Sequence, residues 1–196
     1  MTRSIPVAPP LNLVLFGPPG AGKGTQADRC ALRHGIPKIS TGDMLRKAVH
    51  DRSPVGELVR ETLQRGTLVG DDLMVSLVAD RLEQPDTVKG FVLDGFPRTI
   101  PQAAALDALL APRGRVFVIA LVVHVDEVVR RLAVRGRDDD GAFVIRERLA
   151  VYSRETEPVL EYYRRRAAAT ILDGNRPADD VTTAIEAAVL NAGLGK

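Results

Sequence analysis

Short apolar runs, each closed by glycine or a polar turn, alternate along the chain with longer segments of mixed polarity. Leu11-Asn12-Leu13-Val14-Leu15-Phe16, closed by Gly17, reads as a buried strand. Pro37–Ser40, Gly90–Gly95, Arg115–Val123 and Thr170–Asp173 read as four more, and Arg115–Val123 is the most hydrophobic of them. Helices are expected from Gly22 to His34, ended by Gly35, and from Asp71 to Leu82. Others are expected from Asp126 to Arg135, from Phe143 to Ala168 with a bend near Pro158, and from Ala178 to Asn191. Thr41-Gly42-Asp43 opens a further helix, with Thr41 or Asp43 as N-cap. Strands that alternate with helices and lack polar alternation imply a parallel sheet covered on both faces. Residues 41–70 and 133–142 look detachable from that core.

Composition narrows this picture. The 196 residues, 45% apolar and 27% charged, suit one globular domain. A net charge of +2 and 4% aromatics do not suggest nucleic acid, even with the cluster Arg164–Arg166. The single cysteine, Cys30, excludes an intramolecular disulfide and a Cys-based zinc site, and its place in a predicted helix suggests packing. His34, His50 and His124 lack ligand spacing. No run approaches a membrane span, and the proline-containing first ten residues lack a signal-peptide core and read as a flexible extension. Cytoplasmic location is the expectation. Arg outnumbers Lys 22 to 5; Arg is the better bidentate phosphate clamp, but an Arg-rich genome would give the same excess.

The chemistry is concentrated first in Gly17-Pro18-Pro19-Gly20-Ala21-Gly22-Lys23-Gly24-Thr25, between the first strand and the first helix. It fits G-x-x-x-x-G-K, then carries Gly24 where Ser or Thr would stand, with the hydroxyl one place later at Thr25. Glycines allow a tight loop whose N–H groups converge on phosphate oxygens, and the helix N-terminus adds positive partial charge. Lys23 supplies a mobile cation. The expected fold is therefore α/β, a P-loop five-stranded parallel sheet with helices on both faces and ligands at the C-terminal ends of the strands. The loop alone does not separate a kinase from an ATPase or a GTPase.

The loop GPPGAGKGTQ resembles that of adenylate kinases and related nucleoside monophosphate kinases. The resemblance continues through Ile39-Ser40-Thr41-Gly42-Asp43-Met44-Leu45-Arg46, Gly66-Thr67-Leu68-Val69 and Asp94-Gly95-Phe96-Pro97-Arg98-Thr99 with Gln102. It extends to Arg131, Arg135, Arg137-x-Asp139-Asp140 and Arg148, spanning residue 11 to about residue 177 in the family's order. It implies reversible Mg-dependent transfer from ATP to AMP, giving ADP and maintaining adenine nucleotide balance. Gly20, Ala21, Gly22, Lys23, Gly24 and Thr25 would hold the ATP phosphates. Thr41, Arg46, Leu68, Val69, Gly95, Arg98 and Gln102 would surround AMP, with Thr41 and Gln102 at the base and Arg46 and Arg98 at the phosphate. Arg131, Arg135, Arg137 and Arg148 would close over the transferring group, so that Lys23, Arg98, Arg131, Arg137 and Arg148 are the implied catalytic set. Asp94 and Thr25 would meet the magnesium ion through water, and Arg176 lies in a turn that relatives place near the donor adenine. The implied parts are a core of residues 11–40, 71–132 and 143–196, a small helical AMP-binding insertion at 41–70 and a very short lid at 133–142.

Because only Gly136 separates Arg135 from Arg137, the resemblance is to the short-lid branch, which excludes a zinc-bearing lid. Gly141-Ala142-Phe143 departs from the polar residues usual there. In that branch Arg137 and Arg148, eleven apart, would share a face if the helix began early enough. A UMP/CMP kinase is the nearest alternative, but that branch commonly has Ala for Thr41 and Asn for Thr99, so Thr41, Thr99 and Gln102 favour AMP. GTP as donor remains open. A nucleotide-binding module without transferase activity would call for an N-K-x-D signature or a partner-binding insertion, and the sequence has neither. Nothing demands more than a monomer.

Overall fold

The computed structural model describes residues 9–135, 141–166 and 168–194, with Arg135 described by its backbone alone. Its centre is a five-stranded parallel sheet in the order β2-β3-β1-β4-β5, formed by β1 (Leu11–Phe16), β2 (Lys38–Ser40), β3 (Gly90–Asp94), β4 (Val116–Val122) and β5 (Ala169–Asp173). All six residues of β1 are buried, because β1 lies between β3 and β4 and has helices over both faces. Period-2 alternation sends Leu11, Leu13 and Leu15 to one face and Val14 and Phe16 to the other. Apart from the buried Asn12, both faces are apolar, so the strand reads as a hydrophobic run.

On the first face, Leu11, Leu13, Leu15, Val92, Ile119 and Leu121 pack against α1 (Lys23–His34), α6 (Val125–Arg135), α7 (Ala142–Val151) and α9 (Ala178–Asn191). On the second, Val14, Phe16, Phe91, Leu93, Val118 and Ala120 meet α2 (Thr41–His50), α3 (Pro54–Arg65), α4 (Asp71–Leu82), α5 (Ile100–Leu110) and α8 (Glu157–Arg164). Strands departing to both sides of β1 leave a crevice at its C-terminal end, where ligands bind in open α/β sheets.

The predicted elements recur within a residue or two, with three differences. Ser40, not Thr41 or Asp43, is the N-cap of α2; its hydroxyl accepts from the Asp43 N–H. Ser40-x-x-Asp43 has the spacing of a capping box, and an N-cap residue must itself be extended, as Ser40 is at the end of β2. The helix expected over 143–168 is two helices joined by one π-helical turn, Tyr152–Thr156, ahead of Pro158, which lacks the N–H an unbroken ladder needs. Helix α5 goes beyond the predicted elements, and α3 gives bounds to the insertion expected to be helical, although Ser53-Pro54 and Thr99-Ile100-Pro101 are both N-cap plus proline signals.

Candidate active site

The turn from β1 into α1 builds an anion cradle. Gly17, at φ +141, brings its Cα so close to β4 that a Cβ would lie 2.6 Å from the Leu121 carbonyl oxygen. Only glycine fits there, and the loop curls around the end of α1, whose N-cap, Gly22, offers no side-chain cap. The Lys23 ammonium donates to the carbonyl oxygens of Gly17 and Pro18 at 2.8 and 2.9 Å, arching over the loop. Gly20, Gly22, Lys23, Gly24 and Thr25 all line one cleft of about 440 Å³. Ala21 does not: its methyl is buried, and its N–H donates to Pro18 O at 3.1 Å. Asp94, at the tip of β3, borders the same loop, since a Cβ on Gly24 would stand 3.6 Å from Asp94 Oδ2.

The far wall of the cleft is cationic. Arg46 from α2, Arg98 from the turn after β3 and Arg148 from α7 all line it. Arg98 is aimed by its own turn, with its Nε donating to Gly95 O at 2.7 Å. Gly95 sits at φ +85, and a Cβ there would lie 2.8 Å from Thr41 Oγ1 and 3.1 Å from Arg98 Nη2. The Phe96–Pro97 peptide in this turn is cis. Burial, then the Arg148 charge, push the Arg98 pKa down; Asp94 opposes this and Arg46 adds to it. Three guanidinium groups held together against their own repulsion form a site prepared for a polyanion. Beside them, Asp43 is pushed up by burial, but the hydrogen bond and charge of Arg46, with Ser40 and Lys38, hold its carboxyl below the usual range.

Beyond the arginines the cleft continues into a smaller cavity of about 50 Å³. Leu45, Leu63, Leu68, Val69 and Met74 give it apolar walls, and Thr41 and Gln102 add polar groups. Thr41 donates to Asp94 O at 3.4 Å, and the Gln102 amide oxygen accepts from the Arg98 N–H at 2.8 Å.

The structure thus brings together Gly20, Gly22, Lys23, Gly24, Thr25, Asp94, Arg131 and Arg148 with Thr41, Arg46, Leu68, Val69, Gly95, Arg98 and Gln102. Arg131 reaches the rim, where its Nε donates to Glu127 at 2.6 Å. Arg176 is not among the residues lining these two cavities, and its guanidinium lies 3.3 Å from Asp180. The Arg135 side chain, Gly136, Arg137, Asp139 and Asp140 lie outside the described residues. Helix α7 begins only at Ala142, so no helical spacing relates Arg148 to position 137. Phe143 is 75% exposed. Cys30 is buried with its thiol pushed up to about 12, chiefly by burial, in keeping with a packing role. Sequence reasoning missed Lys38, whose ammonium lies in the cleft 2.8 Å from Asp28 and 3.4 Å from Gly24 O. No local motif marks it; it enters because β2 ends beside the loop.

A parallel sheet with an anion-binding loop at its C-terminal edge, facing a cluster of arginines, defines a P-loop nucleotide phosphotransferase fold. The family model described as adenylate kinase matches residues 15–168. The adenylate kinase of Xanthobacter autotrophicus is 45% identical over 194 residues, covering 93% of this chain and all of the relative. That of Caulobacter sp. is 45% identical over 91% of this chain and 98% of the relative, and that of Archaeoglobus fulgidus 40% identical over 90% and 97%. The chain belongs to the adenylate kinase family.

Proposed function

We propose that the protein reversibly transfers the γ-phosphoryl group of Mg·ATP to AMP, yielding ADP and balancing adenine nucleotides. The observation that carries this is the pairing of two anion sites in one cleft: the phosphate loop with Lys23, and Arg46, Arg98 and Arg148 opposite. A nucleotide hydrolase needs only the first. A second cationic site, opening onto an apolar cavity with one amide, calls for an acceptor that is itself a nucleotide with a phosphate.

In this reading Gly20, Gly22, Lys23, Gly24 and Thr25 hold the donor phosphates. Arg46 and Arg98 grip the acceptor phosphate, while Thr41, Leu68, Val69 and Gln102 receive its base. An acceptor phosphate oxygen is already a nucleophile near neutral pH, so the site needs no general base. Its residues align the two phosphates and neutralise charge, which is most of what phosphoryl transfer requires. Arg148 stands beside Arg98, where charge gathers between donor and acceptor. Arg131, with Arg135 and Arg137, closes over the transferring phosphoryl group, and Arg176 lies in the turn that receives the donor adenine. A magnesium ion would supply positive charge that neutralises the donor phosphates. The hard oxygens of Asp94, beside Gly24, and Thr25 suit an ion that keeps most of its water. Residues 41–70 move as a hinged part that closes on substrates and excludes water, which compaction in small-angle scattering with a bisubstrate analogue would test; the lid expected at 133–142 falls largely outside the described residues. We place the protein in the cytoplasm as a monomer; no described helix is long and apolar enough to cross a membrane.

The test is diphosphate formation from Mg·ATP with AMP, UMP, CMP and GMP in separate reactions. Turnover with AMP, reversible from ADP, supports the reading. Preference for UMP or CMP would keep the mechanism and overturn the base assignment. Lack of turnover with any acceptor would overturn transferase activity.

A further inference from the structure

Asp71, first residue of α4, lines neither cavity, yet it holds a group that does. Thr99 Oγ1 lies 3.0 Å from each Asp71 carboxylate oxygen, sharing its proton between them. Gln102 Nε2 donates to Asp71 Oδ1 at 2.7 Å. At the other end of the same amide, Gln102 Oε1 accepts from the Arg98 N–H at 2.8 Å. Gln102 is 2% exposed, so water cannot replace either partner.

A carboxylate can only accept and a backbone N–H can only donate, so the amide has one orientation. Turning it over would set oxygen against carboxylate and NH₂ against N–H. Each amide heteroatom keeps one position for a ligand: one N–H on Nε2 and one lone pair on Oε1. Their order along the cavity wall is therefore set from behind. A 6-aminopurine offers a donor at N6 beside an acceptor at N1, which complements that order in the way glutamine pairs with adenine elsewhere. A 6-oxopurine offers the reverse, an acceptor at O6 beside a donor at N1, and would need the amide turned over.

We propose that Asp71 is a positioning residue that fixes the polarity of Gln102 and so makes the acceptor cavity choose a 6-aminopurine over a 6-oxopurine. This rests on reading the small cavity as the site of the acceptor base. Asn in place of Asp71 keeps the shape but can present either an acceptor or a donor, so it releases the amide on one side.

The test compares kcat/KM for AMP and for inosine monophosphate, with ATP as donor, in the wild-type protein, Asp71→Asn, Asp72→Asn and Gln102→Leu. Loss of one charged hydrogen bond should lower the AMP-to-IMP ratio of Asp71→Asn by about tenfold or more. Asp72→Asn removes the neighbouring charge from the same first turn of α4 and should leave the ratio within about twofold, separating amide control from helix electrostatics. Equal losses with both nucleotides in Asp71→Asn, at an unchanged ratio, would reduce Asp71 to a structural support and overturn the proposal. If instead Gln102→Leu leaves the KM for AMP unaltered, the placement of the base itself fails. Should Asp71→Asn not fold, isotope-labelled wild-type protein decides. A coupling through the hydrogen bond from Gln102 Nε2 to the Asp71 carboxyl carbon is expected, and a freely rotating, rapidly exchanging amide would overturn the proposal.

Discussion

Replacing Arg98 by Ala should separate activity from stability. In the folded protein its guanidinium is buried, faces the charge of Arg148 and stands near Arg46, and these effects outweigh the nearby Asp94 carboxylate. Removing it relieves that repulsion and desolvation. It also costs the bond to Gly95 O at 2.7 Å and some packing, about 1 kcal/mol in the opposite sense. The two effects oppose each other, so folding stability should change by no more than about 1 kcal/mol, or roughly 2–4 °C in Tm for a chain of this size. Transfer should suffer differently. A guanidinium held ready in a water-poor site against developing phosphoryl charge is worth about 3–4 kcal/mol, a loss of roughly 10²–10³-fold in kcat/KM. Arg98→Lys keeps the charge but not the fork or the aim from Gly95, and should recover only a small part. ADP formation and a thermal melt on the same preparations decide. Turnover within tenfold of wild type would refute the clamp, and a Tm drop beyond about 10 °C would refute the claim that the site is held at a cost.

Gly95→Ala should add backbone strain of about 1–2 kcal/mol at a positive φ, lower Tm by roughly 2–8 °C and raise the KM for AMP by pushing on Thr41 and Arg98. An unchanged KM would show that the turn tolerates a Cβ. The Cys30 thiol, pushed up to about 12, should react with a disulfide reagent at pH 8 at least ~100-fold more slowly in folded than in urea-unfolded protein; equal rates would contradict its burial. Hydrogen bonds from Arg130 and Arg131 hold the Glu127 carboxyl down at about 2, against an ordinary value of 4.5. A lowered carboxyl stabilises the folded state fully above 4.5 and loses that effect as pH falls towards 2. The stability gap between wild type and Glu127→Gln, measured by urea unfolding, should therefore narrow from pH 7 to pH 3. A constant gap would refute the pairing.

By itself the sequence determined what depends on neighbours along the chain. Continuous apolar runs such as Leu11–Phe16 announced strands covered on both faces, and glycine spacing with Lys23 announced the phosphate loop, because loop curvature and helix start are local. The family's motif order added Arg46, Arg98, Thr41 and Gln102, which the cleft and its inner cavity bring together. What the sequence left open involves partners from other elements. Ser40 caps α2 because β2 ends there in extended backbone, and Lys38 reaches the phosphate loop because β2 runs beside β3. The orientation of the Gln102 amide depends on Asp71, 31 residues away, and on the backbone of Arg98. Periodicity and motif spacing describe one element at a time; the direction of a side chain and the polarity of its hydrogen bonds are decided only when helices and strands distant in sequence close on the same few ångströms of space.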